Sequence, residues 1–164
     1  MLNHPGRVGA IGVVSPASIG IGGGGGGGYD SSAAALIAAF STPATSARMS
    51  AINSLIVALK SAGVWTKLDI LYVLAAHDAQ AGRLNWKVPA SFALVEVNSP
   101  TFTTDQGYAG NGTTSYLNTQ FTPSTNGVNL TQNSATIGVW SRTAAAQGAS
   151  TFGNATGTDR KSVV

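Results

Sequence analysis

The hydrophobic pattern of this chain changes period near Trp86, and that change constrains the fold more than any single motif does. Before it, apolar residues recur at helical spacing. After it, they alternate with polar ones, as in half-buried strands. Helices come first and strands second. They give an α+β fold or two separate units.

In the first region, Asp30 or Ser31 is placed to cap a short helix over AAALIAAF, which must end before Pro43. Thr45 or Ser46 caps the next. Met49, Ile52, Ile56 and Leu59 fall at i, i+3, i+7 and i+10, Leu55 widens the stripe, and Gly63 sits where a glycine stops a helix. Leu68, Leu71, Tyr72 and Ala75 carry helical spacing into a third segment, which opens at Trp65 and frays near Gly82. The expectation over residues 29–86 is a short helical region, a small bundle or hairpin with one shared apolar side.

Downstream, FALVEV alternates, with Ala93, Val95 and Val97 on one side and Glu96 on the other. SPTFTTDQGYAGNG reads as turns, and SYLNTQF alternates with Leu117, Thr119 and Phe121 on one face. TPSTNGVNLTQNS reads as a loop. ATIGVWS alternates again, with Ile137, Val139 and Ser141 opposite Trp140, and STFGNATG opens one more strand. Short strands separated by Gly, Asn and Pro point to an antiparallel β-sandwich, whose first strands are expected over residues 87–158.

Composition narrows the function classes. Only 9% of residues are charged, against about a quarter in an ordinary globular chain. Small-residue packing and polar β-surface fill the difference. The net charge of +3 comes from scattered Lys and Arg, so there is no basic patch for a nucleic-acid partner. Cysteine is absent, which excludes disulfides and thiolate metal sites. No apolar run approaches the ~18 to 20 residues that span a bilayer, so membrane insertion is not expected. VGAIGVV, after Arg7, has the outline of a signal peptide but is short and broken by Gly9 and Gly12. Residues 1–28 read as a flexible arm, because the uninterrupted run Gly22 to Gly28 loses much backbone entropy on ordering. A phosphate-cradling loop needs single glycines at set spacings, usually with a lysine after them, and none follows here.

Candidate chemistry is sparse. A glycosidase needs two carboxylates facing across a cleft. Glu96 and Asp105 flank a turn, but Glu96 falls on the polar side of its strand, where a solvated charge is expected. His77 and Asp78 are adjacent and do not share a helical face, and the other histidine is His4 in the arm. His77 is read as a helix-end residue holding a carbonyl or another polar group. No GxSxG elbow is present. Among the tryptophans, Trp65 is assigned to the core and Trp86 to a seam between regions. Trp140 is left between core and sugar-stacking platform. Asn111-Gly112 is read as a hairpin turn pair rather than as a glycosylation sequon.

GNGTTSYL at 110–117, followed by ATIGVWSR at 135–142, resembles the opening strands of laminin-G-like, or concanavalin-A-like, jelly-roll modules. The order of AINSLIVALKSAGVWTKLDILYVLAAHDAQAGRLNW and PTFTTDQGYAGNGTTSYLNT is similar to structural proteins of tailed bacteriophages and prophages, over about residues 29–157. The resemblance implies a non-enzymatic virion or tail-associated protein, made in the bacterial cytoplasm. Its implied partners are other virion proteins, a host-surface polysaccharide and further copies of itself. Ligand contact would fall on Asn111, Thr113 and Asn126, with Trp140 as the stacking candidate. Many such modules bind calcium and sugar near loop tips. No calcium cluster is visible here, so no cofactor is assigned, and Asp105 and Asn111 are not carried over as ligands. Two alternatives stay open: a glycan hydrolase or lyase on the same scaffold, with its site in a missing part, and a purely architectural module.

The four or five expected strands are fewer than a complete jelly roll uses, so the module is expected to be incomplete. The last six residues, DRKSVV at 159–164, also read as the translation of a short-read sequencing adapter. The expectation is that they are not native and that the gene continues.

Overall fold

A computed structural model describes residues 28–131 and 133–140. The glycine arm before Gly28, the strand expected over STFGNATG, Ser141 and the DRKSVV terminus lie outside the described residues.

The fold is α+β. Helix α1 spans Ser31–Ala38 and α2 spans Ser46–Ser61. Asp30 caps α1 by accepting from the Ser32 amide at 2.9 Å. The same carboxylate accepts from Lys60 Nζ at 2.6 Å, while the Asp30 amide donates to Asn53 Oδ1 at 2.7 Å. One capping residue therefore also ties α1 to α2. Thr45 caps α2 through the Arg48 amide. At the other end, the Gly63 amide bonds Lys60 O at 3.0 Å and the Val64 amide bonds Leu59 O at 3.0 Å. This is the paired closure of a Schellman motif, and Gly63 supplies its left-handed φ of +67°.

Ala33 and Leu36 of α1 pack against Ile52 and Ile56 of α2, all buried. Trp65, in a single 3-10 turn at Trp65–Lys67, joins this core, and Leu84 and Trp86 complete it. Trp65 is core, as expected, and Trp86, expected in a seam between regions, is buried in the same cluster. Met49 and Leu59 are half-buried. Leu55 does not extend the buried stripe: it is 42% exposed, because α1 and Trp65 cover only the face carrying Ile52 and Ile56.

The expected third helix does not form. Leu68 turns extended at ψ 132°, and residues 68–78 carry no regular helix. Only the short helix α3, Ala79–Arg83, follows. Ile70 and Val73 are β-branched and Tyr72 is aromatic, which weakens helix formation around Leu71. Its backbone is satisfied from outside instead. Leu71 donates to the Oδ1 of fully buried Asn85 at 3.2 Å and accepts from the Trp86 amide at 2.8 Å. Leu68, Leu71 and Val73 still reach the core, from an extended segment rather than from a helical stripe.

Four three-residue strands follow: β1 Val95–Val97, β2 Thr101–Thr103, β3 Gly107–Ala109 and β4 Tyr116–Asn118. They pair antiparallel as two nested ribbons. β1 pairs with β4, with Glu96 opposite Leu117, and between them in sequence β2 pairs with β3, with Phe102 opposite Tyr108. The segment expected to be turns therefore holds the β2–β3 hairpin. The face expected inward on β1 is reversed in its first part. Leu94 is buried while Ala93 is exposed and Val95 is 41% exposed, and Glu96 is half-buried, as is Val97 on the expected face. Burying the larger Leu94 carries Glu96 inward with it. Leu117 is buried on β4, as expected.

A four-residue helix α4, Pro123–Asn126, continues the chain. ATIGVW, expected as a strand, is irregular over 135–140 and exposed throughout. Among the described residues no strand pairs with it, and an unpaired strand has no ladder to hold it.

Candidate functional site

The four candidate ligand residues occupy different surroundings. Asn111 organises an exposed loop between β3 and β4. Its Oδ1 accepts from the amides of Thr113, Thr114 and Ser115 at 3.0, 2.8 and 2.9 Å. Its Nδ2 donates to Thr114 Oγ1 at 3.0 Å, and its own amide donates to Ser115 Oγ at 2.6 Å. Gly112, at φ +77°, makes the tight reversal possible. Asn111-Gly112 is thus a turn, but not a hairpin turn, because β3 and β4 are paired with other strands. Thr113 bonds back to Asn111 Oδ1 through both its amide and its hydroxyl. Trp140 stands 93% exposed on the irregular segment.

Asn126 lies elsewhere, in a cleft of about 280 Å³ that Asn111 and Thr113 do not line. Its Oδ1 accepts from the Thr122 amide at 2.8 Å, which fixes the side chain on α4. Phe92 and Phe121 form one wall, edge to face with centroids 5.3 Å apart. Phe92 sits at φ +57°, a left-handed conformation uncommon for an aromatic residue, and the Tyr72 hydroxyl holds its carbonyl at 2.5 Å.

Asp69 also lines the cleft. Its carboxylate accepts from the consecutive amides of Val128, Asn129 and Leu130 at 3.0, 3.0 and 2.8 Å, and from Asn129 Nδ2 at 2.8 Å. Partial burial alone raises its pKa, but these hydrogen bonds outweigh burial and hold the carboxyl below its ordinary value. Lys87 reaches the same cleft. Its ammonium lies 4.9 Å from the centroid of the Trp65 ring and donates to the Trp65 carbonyl, and the Lys60 ammonium lies 5.8 Å from that ring. Desolvation, then repulsion from Lys60, pushes the Lys87 ammonium down, against the pull of Asp69.

The remaining carboxylates hold structural contacts. Glu96 accepts from the Tyr108 hydroxyl at 3.0 Å and lies 3.4 Å from Arg83 Nε. Asp105 pairs with Arg48, at a turn residue with φ +61°. The two therefore serve separate partners rather than a common cleft. Asp78 caps α3 through the Ala81 amide at 2.7 Å. His77 holds a carbonyl, as its position suggested: Nε2 donates to Thr42 O at 2.9 Å, and the ring meets Phe40 edge-on at 4.9 Å. It lies just before α3 rather than at the end of a long helix. Among the described residues no group of three His, Asp or Glu side chains is placed to hold a metal ion, and no helix is long and apolar enough to cross a membrane.

Asp69, Lys87, Phe92 and Asn129 had no signal in the sequence, since the cleft gathers three separate segments and Asp69 lies sixty residues from Asn129. No family model, curated protein or solved structure matches the chain.

Proposed function

We propose that this is a non-enzymatic structural protein of a tailed-phage or prophage virion, whose β region is the opening part of a laminin-G-like module that contacts a host-surface glycan. The observation that carries this reading is the Asn111 loop. It is exposed at residues 111–114, yet locked by hydrogen bonds from one side chain to three successive amides. A surface loop rigid before binding has little order left to lose on contact, which favours recognition. It lies within the GNGTTSYL stretch that carries the family resemblance. The non-enzymatic part is supported by the described carboxylates, each engaged in a cap, an ion pair or a clamp.

The experiment is adsorption of the folded chain to purified bacterial surface polysaccharides, with glycan size followed over time. Retention of a polysaccharide without shortening is the expected result. Shortened glycan would replace the reading with an enzyme, and no retention of any polysaccharide would remove the glycan part.

A further inference from the structure

The cleft between Asp69 and Lys87 has the composition of a small ligand site. Its volume, about 280 Å³, falls just below the ~300 to 1,000 Å³ usual for small-molecule sites, so it admits one ring rather than a chain. Phe92 and Phe121 offer an aromatic wall, onto which the C–H face of a saturated ring packs. Asn126 offers its Nδ2 as a donor to hydroxyl groups at the lining, its Oδ1 being held by Thr122, while Asn129 offers only Oδ1 as an acceptor, because its Nδ2 already donates to Asp69 and to the Thr66 carbonyl. The Asp69 oxygens already accept from three backbone amides and from Asn129 Nδ2. Asp69 therefore shapes the wall rather than offering a free acceptor to a cation.

Lys87 sets the charge preference. One of its three N–H donors goes to the Trp65 carbonyl, so two remain. Lys60, the neighbouring ammonium, is already paired with Asp30 at 2.6 Å. The half-buried Lys87 ammonium thus stands over the same indole ring as a second ammonium, and an anionic group entering the cleft would pair with it.

We infer that this cleft binds a single carboxylated pyranose, a uronic-acid unit of an acidic polysaccharide, with its carboxylate on Lys87, its ring on Phe92 and Phe121, and its hydroxyls on Asn126 and Asn129. The inference rests on the glycan-contact reading and adds to the Asn111 loop a second contact, in the cleft, for one sugar unit.

The test is ligand-observed NMR on the full chain with methyl β-glucuronide and methyl β-glucoside. Expected is binding of the glucuronide about tenfold tighter than the glucoside, the scale of one charge-assisted hydrogen bond. Asn126→Asp keeps the oxygen that accepts from Thr122 but adds a negative charge, and should abolish glucuronide binding without lowering the melting temperature. Lys87→Gln should remove the preference between the two glycosides. Asn111→Ala should leave glucuronide binding intact. Loss of binding in Asn111→Ala but not in Asn126→Asp would overturn the cleft assignment and leave the glycan reading standing. Equal binding of both glycosides would overturn the carboxylate preference. Absence of binding to either glycoside, with polysaccharide adsorption retained, would overturn the inference alone, whereas absence of both would remove the reading on which it rests.

Discussion

Asp69 and Asn129 lie sixty positions apart, and both the amide and the side chain of Asn129 bond the Asp69 carboxylate, at 3.0 and 2.8 Å. This pair joins the segment after the first core helices to the segment after the last strand. Because the amides of Val128 and Leu130 point at the same carboxylate, one side chain fixes three consecutive residues.

The contact predicts a pH response. The hydrogen bonds hold the Asp69 carboxyl below its ordinary value of 3.8 against the opposing effect of burial. A lowered carboxyl contributes stability above its unfolded pKa and loses it as pH falls through the folded value. The amide chemical shifts of Val128, Asn129 and Leu130 should therefore stay constant from neutral pH to about pH 4 and move together below it. A shared midpoint above 3.8 would contradict the clamp. Asp69→Asn should cost about 1 kcal/mol, reduced by its partial exposure, and should loosen these three amides first.

Two glycine substitutions should fail for different reasons. Gly63 has φ +67° and open space where a Cβ would sit, so Gly63→Ala should cost about 1 kcal/mol in backbone strain alone. Gly127 has an ordinary φ of −70°, but a Cβ there would lie 2.5 Å from the carbonyl oxygens of Pro123 and Leu130. Gly127→Ala should displace the chain that walls the cleft and change the Asn126 and Asn129 side-chain amide resonances, while Gly63→Ala leaves them in place. Thermal melts and amide spectra of the two variants separate strain from clash.

Burial pushes the Tyr72 hydroxyl up to about 12 from its ordinary 10.0. A group whose folded pKa is raised contributes stability that is full below the unfolded pKa and lost as pH rises towards the folded one. Stability should therefore decline between about pH 10 and pH 12, and Tyr72→Phe should flatten part of that decline at the cost of its bond to the Phe92 carbonyl. Unfolding midpoints in urea across this range measure it. An unchanged slope in the variant would remove Tyr72 as the cause.

Ile56→Ala and Leu55→Ala should differ sharply although the residues are neighbours. Ile56 is fully buried between α1 and Trp65, so its truncation should cost about 2 to 5 kcal/mol. Leu55 is exposed on the same helix, and its truncation should stay within about 0.5 kcal/mol. Chemical denaturation of both variants compares them directly, and equal losses would show that the helix packs on another face.

Much of the first helical pair was legible because its signals are local. Asp30, Thr45 and Gly63 act on backbone groups within one turn of themselves, so caps and stops can be read from order alone. Helical spacing at Leu68, Leu71 and Tyr72 was misleading for the same reason. Spacing shows that apolar side chains can share a face, but here Asn85 and Trp86, fourteen or more positions away, took the backbone hydrogen bonds that a helix would have used internally. The partial reversal of β1 arose similarly. FALVEV alternates whichever face is buried, and only the packing of Leu94, with Tyr108 and Arg83 there to receive Glu96, decides between them.

What depends on neighbours along the chain is legible in residue order: an α region before a β region, two capped helices, the absence of thiol chemistry and the Asn111 turn. The tertiary structure alone decided which strands pair, which face of β1 is buried and which side chains meet in the cleft. Hydrogen-bond partners and buried faces are chosen by competition among distant segments, and Asp69 gains its role only when residues 128–130 fold back across the chain to meet it.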